Sequence, residues 1–298
     1  PGTPNRWINI LGNASDPDGI ARLEYSLNGQ GFQRLSLGPF RRLADAGDFN
    51  VELDADYLND GLNTVELRAL DSAGNETRRT VTLSYDKTAR APENDLLLWD
   101  VPAEDRAQPV DGRWVTAAGH VRNLEMRYDR LLAFGDRNWT DYEVELEFEV
   151  RALSQDGFTF PNVRPAVGVM LKWPGHTNWN GAQPAWGYYP GGGGLWYEYS
   201  ESGDGDLSLT DFSGSLFASD RSGFQVSVGQ RYRTIVRVST LADGAALYQL
   251  KLWESGQPEP SSWLLEAVDS ADVPSGGALL VAHFVELRAG PVTIRSID

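Results

Sequence analysis

The 298-residue chain contains no cysteine, only two methionines and only three histidines. The lack of cysteine excludes a disulfide framework, a thiolate nucleophile and a cysteine-based zinc site, so no redox compartment can be read from the sequence. Three isolated histidines do not predict a zinc site either. No apolar run approaches the length of a membrane span, which argues against membrane insertion.

Positive charge is also scarce, because 26 Lys and Arg stand against 42 Asp and Glu for a net charge of -16. The deficit is uneven: residues 1–90 hold ten basic against thirteen acidic side chains, and residues 91–298 hold sixteen against twenty-nine. Such a field repels nucleic acid and anionic lipid, and we expect neither as a partner. It also argues against a heavily charged polyuronide as the ligand.

Strand patterns dominate what is present, and no helical periodicity stands out. Residues 141–151 read DYEVELEFEVR, in which apolar side chains alternate with glutamates. This alternation is typical of a half-buried strand with one acidic, solvated face. Two later alternating runs place basic side chains outward, and we expect these to pair with the glutamates across strands: Arg233, Arg237 and Lys251.

The pattern of strands and turns predicts an all-β protein of two domains. Residues 1–86 have the size and turn spacing of one small sandwich, and residues 87–95 form a polar, proline-containing linker. Residues 96–298 contain enough strand-like runs for a two-sheet jelly roll. Because the chain begins at Pro1, we expect it to be a segment of a longer or processed parent protein with other domains.

The stretch from Trp173 to Tyr199 packs eight aromatic residues among seven glycines, and no acidic residue occurs between Asp156 and Glu198. Flat rings beside amides and imidazole suit a sugar, whose C–H face stacks while its hydroxyls form hydrogen bonds. The alternative is that these rings fill a sandwich core. The hypothesis is a groove for a neutral glycan on the second domain. Its expected lining is Trp173, His176, Trp179, Trp186, Tyr188, Tyr189 and Trp196, with Lys172, Glu198 and His283 as polar contacts.

Two segments of the first domain carry a family resemblance. Residues 13–25 read NASDPDGIARLEY, and residues 58–75 read LNDGLNTVELRALDSAGN. In these features the chain resembles the bacterial immunoglobulin-like domains that accompany secreted carbohydrate-active enzymes and adhesins. The resemblance implies an immunoglobulin-like sandwich that serves as a spacer or stiffener.

The second domain has its own resemblance. Its motifs are RLLAF at residues 130–134, WTDYEVELEFE at 139–149, VGVMLKW at 167–173, QRYRTIVRV at 230–238 and YQLKLW at 248–253. In these it resembles the concanavalin A-like lectin/glucanase superfamily, particularly its laminin G-like and keto-disaccharide-hydrolase-like members. The resemblance implies a jelly-roll sandwich, whereas function within such a superfamily varies from lectin to glycosidase and lyase.

Two kinds of catalysis remain open. The glutamates of residues 143–149 have the spacing of a retaining glycosidase, but in related glucanases the catalytic E-x-D-x-E strand lies later, where residues 195–199 offer only Glu198. A lyase needs a base and a positive charge near a carboxylate. Its candidates are Lys172, His176, Tyr188 or Tyr189 and His283, although the motifs of jelly-roll alginate lyases are absent.

No cofactor is expected, and calcium is the one metal for which ligands are present. Asp204 and Asp206 lie in a short Gly-Asp segment, and Asp16 and Asp18 lie in a DPD turn. We favour a solvated loop over a calcium site for both segments.

Together these features favour a non-catalytic, lectin-like segment of a secreted or cell-surface bacterial protein that binds a polysaccharide or oligosaccharide outside the cell. The first alternative is an enzyme, a polysaccharide lyase or glycoside hydrolase, that uses the same groove. The second is a structural segment of an adhesin stalk with buried aromatics.

Overall fold

The computed structural model describes residues 2–160, 163–177, 183–187, 192–211, 216–270 and 273–297. These residues are almost entirely β structure, which confirms the predicted all-β class. Across the described ranges, no helix has the length and apolar character that crossing a membrane would require.

The chain divides into two compact units. The N-terminal unit comprises Arg6–Ala89 together with His176–Gly187, and we call the latter range the inserted segment. The C-terminal unit comprises Pro1–Asn5, Arg90–Gly175 and Tyr188–Asp298.

These units differ from the predicted contiguous domains in two places. The first residues pack with the C-terminal unit, where the Pro4 carbonyl accepts a hydrogen bond of 2.9 Å from the Gly277 amide. The inserted segment packs with the N-terminal unit, where Gln183 and Ala185 bond to Glu52. Neither exchange has a signature in the local sequence, because both depend on contacts between residues distant in the chain.

The N-terminal unit consists of two antiparallel sheets, β1–β4 and β3–β2–β5–β6. Its strands are β1 (Trp7–Asn13), β2 (Ile20–Leu27), β3 (Gln33–Leu35), β4 (Asp48–Asp54), β5 (Gly61–Asp71) and β6 (Glu76–Tyr85), with a single helical turn at Ala55–Tyr57. One apolar core joins both sheets, so the unit is a small sandwich. Its membership of the immunoglobulin-like class stays a prediction.

Strand β4 is buried on both faces although it reads DFNVELD. Val51 and Leu53 point into the sandwich core, as alternation along a strand requires. Glu52 points the other way and is buried under the inserted segment. A strand with polar residues can therefore be buried on both faces, because hydrogen bonds from the segment satisfy the carboxylate of Glu52.

The C-terminal unit is a larger sandwich with the strands of a jelly roll, and all its strand pairs in the two sheets are antiparallel. The strands are β7 (Asp95–Leu97), β8 (Gln108–Asp111), β9 (Trp114–Ala117), β10 (His120–Asn123), β11 (Arg130–Phe134), β12 (Tyr142–Leu153), β13 (Ala166–Trp173), β14 (Gly193–Tyr199), β15 (Gly205–Asp211), β16 (Leu216–Ser219), β17 (Arg231–Thr240), β18 (Ala246–Glu254), β19 (Leu265–Asp269), β20 (Gly277–His283) and β21 (Val285–Ser296). Short helices lie at Ala103–Asp105 and Asp156–Thr159.

These strands form an eight-stranded and a seven-stranded sheet. The first has the order β19–β18–β17–β12–β21–β10–β9, with β7 also paired to β21, and the second has the order β16–β15–β14–β13–β20–β11–β8. A single core of side chains from both sheets fills the space between them. Val144, Leu146 and Phe148 of β12 point into it, as the alternating pattern predicted.

The outer face of the eight-stranded sheet carries the predicted glutamate ladder. Glu143 pairs with Arg237 and Arg295, and Glu145 pairs with Arg233 and Arg295. The pairing of the glutamates with the arginines of β17 is thereby confirmed.

The expectation for Lys251 is wrong. Lys251 pairs with Glu259, at 2.5 Å between its Nζ and the carboxylate. It lies on β18, which is separated from β12 by the whole width of β17, and this distance prevents a direct pair with the ladder.

The middle of the outer face of the seven-stranded sheet is apolar instead. Two continuous apolar runs of the sequence form β13 and β20, which are neighbours at the centre of this sheet and are buried along their full length. Outward side chains of β13 and β20, with others from β8 and β11, form a second small hydrophobic cluster. Its members are Val110, Leu131, Ala133, Met170, Trp173, Leu279 and Val281, and Trp196 packs against it.

Candidate functional site

The structure does not assemble one groove from all the predicted residues. Trp179, Tyr188 and Tyr189 lie outside the described residues. The remaining candidates separate into a buried group, a group in the N-terminal unit, and a group on the outer face of the seven-stranded sheet.

The prediction that Trp173 lines an exposed groove is wrong. Its side chain is buried in the outer apolar cluster, together with Met170 and Leu279. The physical reason is its place at the end of β13, a strand whose residues are buried on both faces.

Lys172 is buried as well, and its backbone is left-handed with φ of 52°. Burial alone would raise the pKa of Asp141, but the hydrogen bond from the Thr240 amide and the charge of Lys172 lower it. Lys172 lies six residues from Ala166, the strand partner of His283, which is about 20 Å along the strand. The expectation that Lys172 and His283 share one groove is therefore wrong.

His176 and Trp186 belong to the N-terminal unit. His176 is buried, and its carbonyl accepts a hydrogen bond of 2.6 Å from the Trp7 indole. Trp186 is half-buried, with its ring 5.1 Å from that of Phe40 in an edge-on arrangement. Both assignments correct the expectation of a groove confined to the second domain, because the inserted segment belongs to the N-terminal unit.

Glu198, Ala166 and His283 form a row across three adjacent strands. Glu198 pairs with Ala166 in the register of β14 and β13, and Ala166 pairs with His283 in that of β13 and β20. Paired residues point to the same face of a sheet. The small Ala166 side chain thus leaves Glu198 and His283 on either side of it, with Cα atoms about 10 Å apart.

His283 is held by a buried carboxylate. Its Nδ1 lies 2.5 Å from Oδ1 of Asp129, and both side chains are almost completely buried. We assign the Nδ1 proton to this hydrogen bond, which leaves Nε2 as the second functional nitrogen. Phe284, which follows His283, has φ of 53°, and at this residue the chain crosses from β20 in one sheet to β21 in the other.

Trp196 lies in the next row on the same face, where it pairs with Gly168. A Cβ atom at Gly168 would lie 2.8 Å from Cε3 of the indole, so a glycine is required for the ring to pack there. The ring centroid lies 6.1 Å from that of His283. Trp196 is half-buried, as a sugar-stacking ring in a shallow site would be.

A cleft of about 830 Å³ opens beside Glu198, and this volume falls within the range of small-molecule sites. Its lining combines two phenylalanines with charged and hydroxyl side chains, namely Phe158, Phe160, Val163, Arg164, Glu198, Ser200, Glu201 and Ser202. Five of the eight lining side chains are polar or charged and two are aromatic, so a ligand in the cleft would meet hydrogen-bonding groups and apolar rings together.

The electrostatics of the cleft centre on Glu198. Burial raises the pKa of Glu198, and the charges of Arg164 and His283 offset this only in part. Asp206, its partner on β15, adds to the rise. A carboxyl group whose proton is held more tightly than usual is suited to donate a hydrogen bond to a ligand or to transfer a proton.

Sequence reasoning identified Glu198, His283 and Trp196 but missed Asp129 and Arg164. Asp129 reaches His283 only because β11 and β20 are paired, and the chain separates the two residues by 154 positions. Arg164 lies in the irregular segment before β13, where periodicity gives no signal.

The calcium candidates have different surroundings. In the described part of the chain, Asp204 and Asp206 belong to no group of three possible metal ligands, whereas Asp16, Asp18 and Asp71 offer carboxylate oxygens within 4.8 Å of one another. Carboxylate oxygens are ligands that calcium accepts. The same carboxylates also stabilise turns, since Asp71 accepts hydrogen bonds from Asn75 and Asp16 accepts one from the Asp18 amide.

No protein-family model matches the chain, and no curated protein matches it in sequence. Among solved structures, it is similar to the alginate lyase Aly36B at 12% identity and a TM-score of 0.42, over 70% of this chain and 98% of the other. It is also similar to basic winged bean lectin, solved with Tn-antigen, at 9% identity and a TM-score of 0.39, over 67% and 96% of the two chains. An endo-β-1,4-glucuronan lyase from the fungus Trichoderma reesei matches at 11% identity and a TM-score of 0.38, over 70% and 96%. These scores are too low to support an argument, so the fold rests on the strand order given above.

Proposed function

We propose that this chain is a carbohydrate-binding segment of a secreted or cell-surface bacterial protein, and that it binds a neutral glycan in the cleft beside Glu198. The observation that carries the proposal is the composition of the cleft, in which aromatic side chains adjoin one arginine, two glutamates and two serines. Phe158 and Phe160 offer apolar contact to a sugar ring.

The polar groups of the cleft supply the hydrogen bonds that a sugar requires. Arg164 can donate to ring and hydroxyl oxygens, while Ser200 and Ser202 can both donate and accept. The Glu198 carboxyl group can accept hydrogen bonds from sugar hydroxyls, and burial raises its pKa. The net charge of -16 disfavours a polyanionic ligand.

An enzyme is the second candidate, and one observation favours it. The buried Asp129 orients His283, and His283 shares a row with Glu198 on the same sheet face. An imidazole fixed by a carboxylate next to a carboxyl group of raised pKa is an arrangement that can exchange protons with a substrate. A lyase or a glycoside hydrolase of this kind would bind its substrate in the cleft that Glu198 lines, with His283 across Ala166 from Glu198.

Calcium enters the proposal only as a structural ion. The cluster of Asp16, Asp18 and Asp71 lies in the N-terminal unit, whereas Glu198 and the cleft belong to the C-terminal unit.

The test is a panel of insoluble polysaccharides with two measurements, retention of the chain on the polymer and the release of new reducing ends or unsaturated uronates. Retention without product supports a binding segment, and product supports the enzyme. Arg164→Ala should weaken retention about fivefold or more, as expected when a charged hydrogen-bond donor is lost. The matched control is Arg151→Ala, an exposed arginine on the outer face of β12. Equal retention of both variants and the unmodified chain would contradict the proposed site.

A further inference from the structure

The N-terminal unit carries an exposed aromatic pair that the proposed cleft does not use. Phe40 is 57% exposed, and the ring of Trp186 lies edge-on to it at 5.1 Å. The guanidinium group of Arg41 lies 5.4 Å from the centre of the Phe40 ring. We call Phe40, Arg41 and Trp186 the aromatic platform.

The platform stands on a short hairpin and on the inserted segment. Phe40 and Leu43 exchange two backbone hydrogen bonds, of 2.7 and 3.1 Å, which close the hairpin with Arg41 at its tip. Thr177 and Gly187 exchange two more, of 2.6 and 3.0 Å, which close the two ends of the segment that carries Trp186.

A buried ion pair fixes the hairpin to the segment. Arg42 donates to Glu52 at 2.6 Å, and the side chains are 1% and 2% exposed. The other carboxylate oxygen of Glu52 accepts from the Ala185 amide at 2.6 Å, and Arg42 also donates to the Ala185 carbonyl. Arg42 and Ala185 are the immediate neighbours of Arg41 and Trp186, so this network holds both halves of the platform.

Gln183 adds a second attachment. Its side chain accepts from the Glu52 amide at 2.8 Å and donates to the Glu52 carbonyl at 2.7 Å. Its backbone carbonyl accepts from the Ser36 amide at 2.8 Å, next to its parallel bridge with Leu35. The segment is therefore held at backbone and side chains, and its aromatic residue needs little further ordering when a ligand binds.

The backbone of Arg41 is strained. Its φ of 48° is left-handed, a region that glycine or asparagine occupies at lower cost than arginine. Backbone strain at an exposed turn is one feature of functional sites, so Arg41 is a candidate for contact with a ligand.

We propose that the aromatic platform is a second saccharide-binding site, at which a sugar ring stacks on one of the two rings, packs against the other, and accepts hydrogen bonds from Arg41 through its hydroxyl oxygens. This inference rests on the proposed function, because the ligand is the same neutral polysaccharide. Charge supports a neutral sugar: nine basic against thirteen acidic side chains in residues 6–89 repel polyanions.

The test measures retention on a polysaccharide that binds the unmodified chain. It uses two backgrounds, the unmodified chain and the Arg164→Ala variant. In each background we compare Phe40→Ala and Trp186→Ala with Tyr57→Ala, which removes a ring that is 72% exposed in the same unit. We expect each platform variant to weaken retention about fivefold in both backgrounds, and Tyr57→Ala to leave it unchanged. High concentrations of sodium chloride should not change the loss of retention that the platform variants cause, since binding of a neutral ligand needs no ion pair.

The outcomes separate the two sites. If the platform variants bind like Tyr57→Ala while Arg164→Ala loses retention, the platform is not a sugar site and the cleft is supported as one. If only the platform variants lose retention, the platform is supported as a sugar site and the proposal for the cleft is overturned. If the platform variants instead lose self-association or binding to lipid vesicles while polysaccharide retention is unchanged, the inference is overturned. A chain that no polymer retains overturns both sites.

Discussion

The two sheets of the C-terminal unit carry glutamates on their outer faces in opposite settings. On the eight-stranded sheet, Glu143, Glu145 and Glu147 each have an arginine within 3.1 Å. On the seven-stranded sheet, Glu198 lies beside aromatic and apolar residues, and burial raises its pKa. The same residue type is thus paired with arginine on one sheet and partly buried in a cleft on the other.

The largest effect should come from the buried carboxylate of the seven-stranded sheet. Asp129→Ala leaves the buried His283 without its 2.5 Å partner, and we expect it to lower the free energy of unfolding by about 2–4 kcal/mol. Chemical denaturation measures this. Asp156→Ala is the control, because its 2.9 Å pair with Arg127 is exposed and should contribute less than about 1 kcal/mol. Equal losses for the two variants would show that Asp129 does not act as a buried partner.

The second prediction concerns differences within the ladder. The side chain of Glu143 is nearly buried between Arg237 and Arg295, whereas that of Glu147 is more exposed beside Arg231. Glu143→Ala should cost about 1–3 kcal/mol of unfolding free energy and Glu147→Ala less than about 1 kcal/mol. Salt should reduce only the smaller loss appreciably. A larger loss for Glu147→Ala would reverse this assignment.

The third prediction uses pH. Because the pKa of Glu198 is raised above its ordinary value of 4.5, the folded state holds this proton more tightly than the unfolded state. Stability from this group is present at pH below 4.5 and is lost as pH rises through the raised pKa. Glu198→Gln should therefore raise Tm near neutral pH by about 2 °C or less, since solvent screens a half-exposed group.

Thermal unfolding over a pH series gives the answer for Glu198. The gain of Glu198→Gln should vanish at pH below 4.5, whereas Glu147→Gln should bring no gain at any pH. A gain that grows as the pH falls would mean that the carboxylate of Glu198 is stabilised in the fold rather than destabilised.

The smallest effect is expected at the aspartate cluster of the N-terminal unit. Asp16, Asp18 and Asp71 place three carboxylates within reach of one cation. Calcium should raise Tm by about 1–2 °C more than sodium chloride of equal ionic strength. The double variant Asp16→Asn with Asp18→Asn should lose this difference. If calcium and sodium chloride change the Tm of the unmodified chain equally, the three aspartates stabilise turns and do not bind calcium.

The fold could be predicted from the sequence wherever one strand revealed its own pattern. The alternation in β12 and the smooth runs of β13 and β20 identify strand, inner face and degree of burial from neighbouring residues alone. The boundary near residue 90 was readable from composition, but the transfer of the inserted segment was not. That transfer depends on Glu52 and Arg42, whose partners lie more than 130 positions away.

The candidate site was predictable only in part, for a related reason. Residue types identified Trp196, Glu198 and His283 as chemically capable, yet the sequence could not show that Ala166 lies between two of them. Aromatic density was misleading for Trp173, because the ring is buried in the apolar cluster on the outer face of its sheet. Position in the sheet decided each role, and strand order is a property of the whole domain.

We propose that Glu198 serves ligand binding, whereas the glutamates that pair with arginines on the eight-stranded sheet serve the fold. The most direct measurement compares the dissociation constants of Glu198→Gln and Glu147→Gln for the retained polysaccharide, by affinity electrophoresis at a pH near neutral. We expect Glu198→Gln to change the constant about threefold or more, because a group that lines the cleft is altered, and Glu147→Gln to match the unmodified chain. An unchanged constant for Glu198→Gln, or an equal change for Glu147→Gln, would contradict this account.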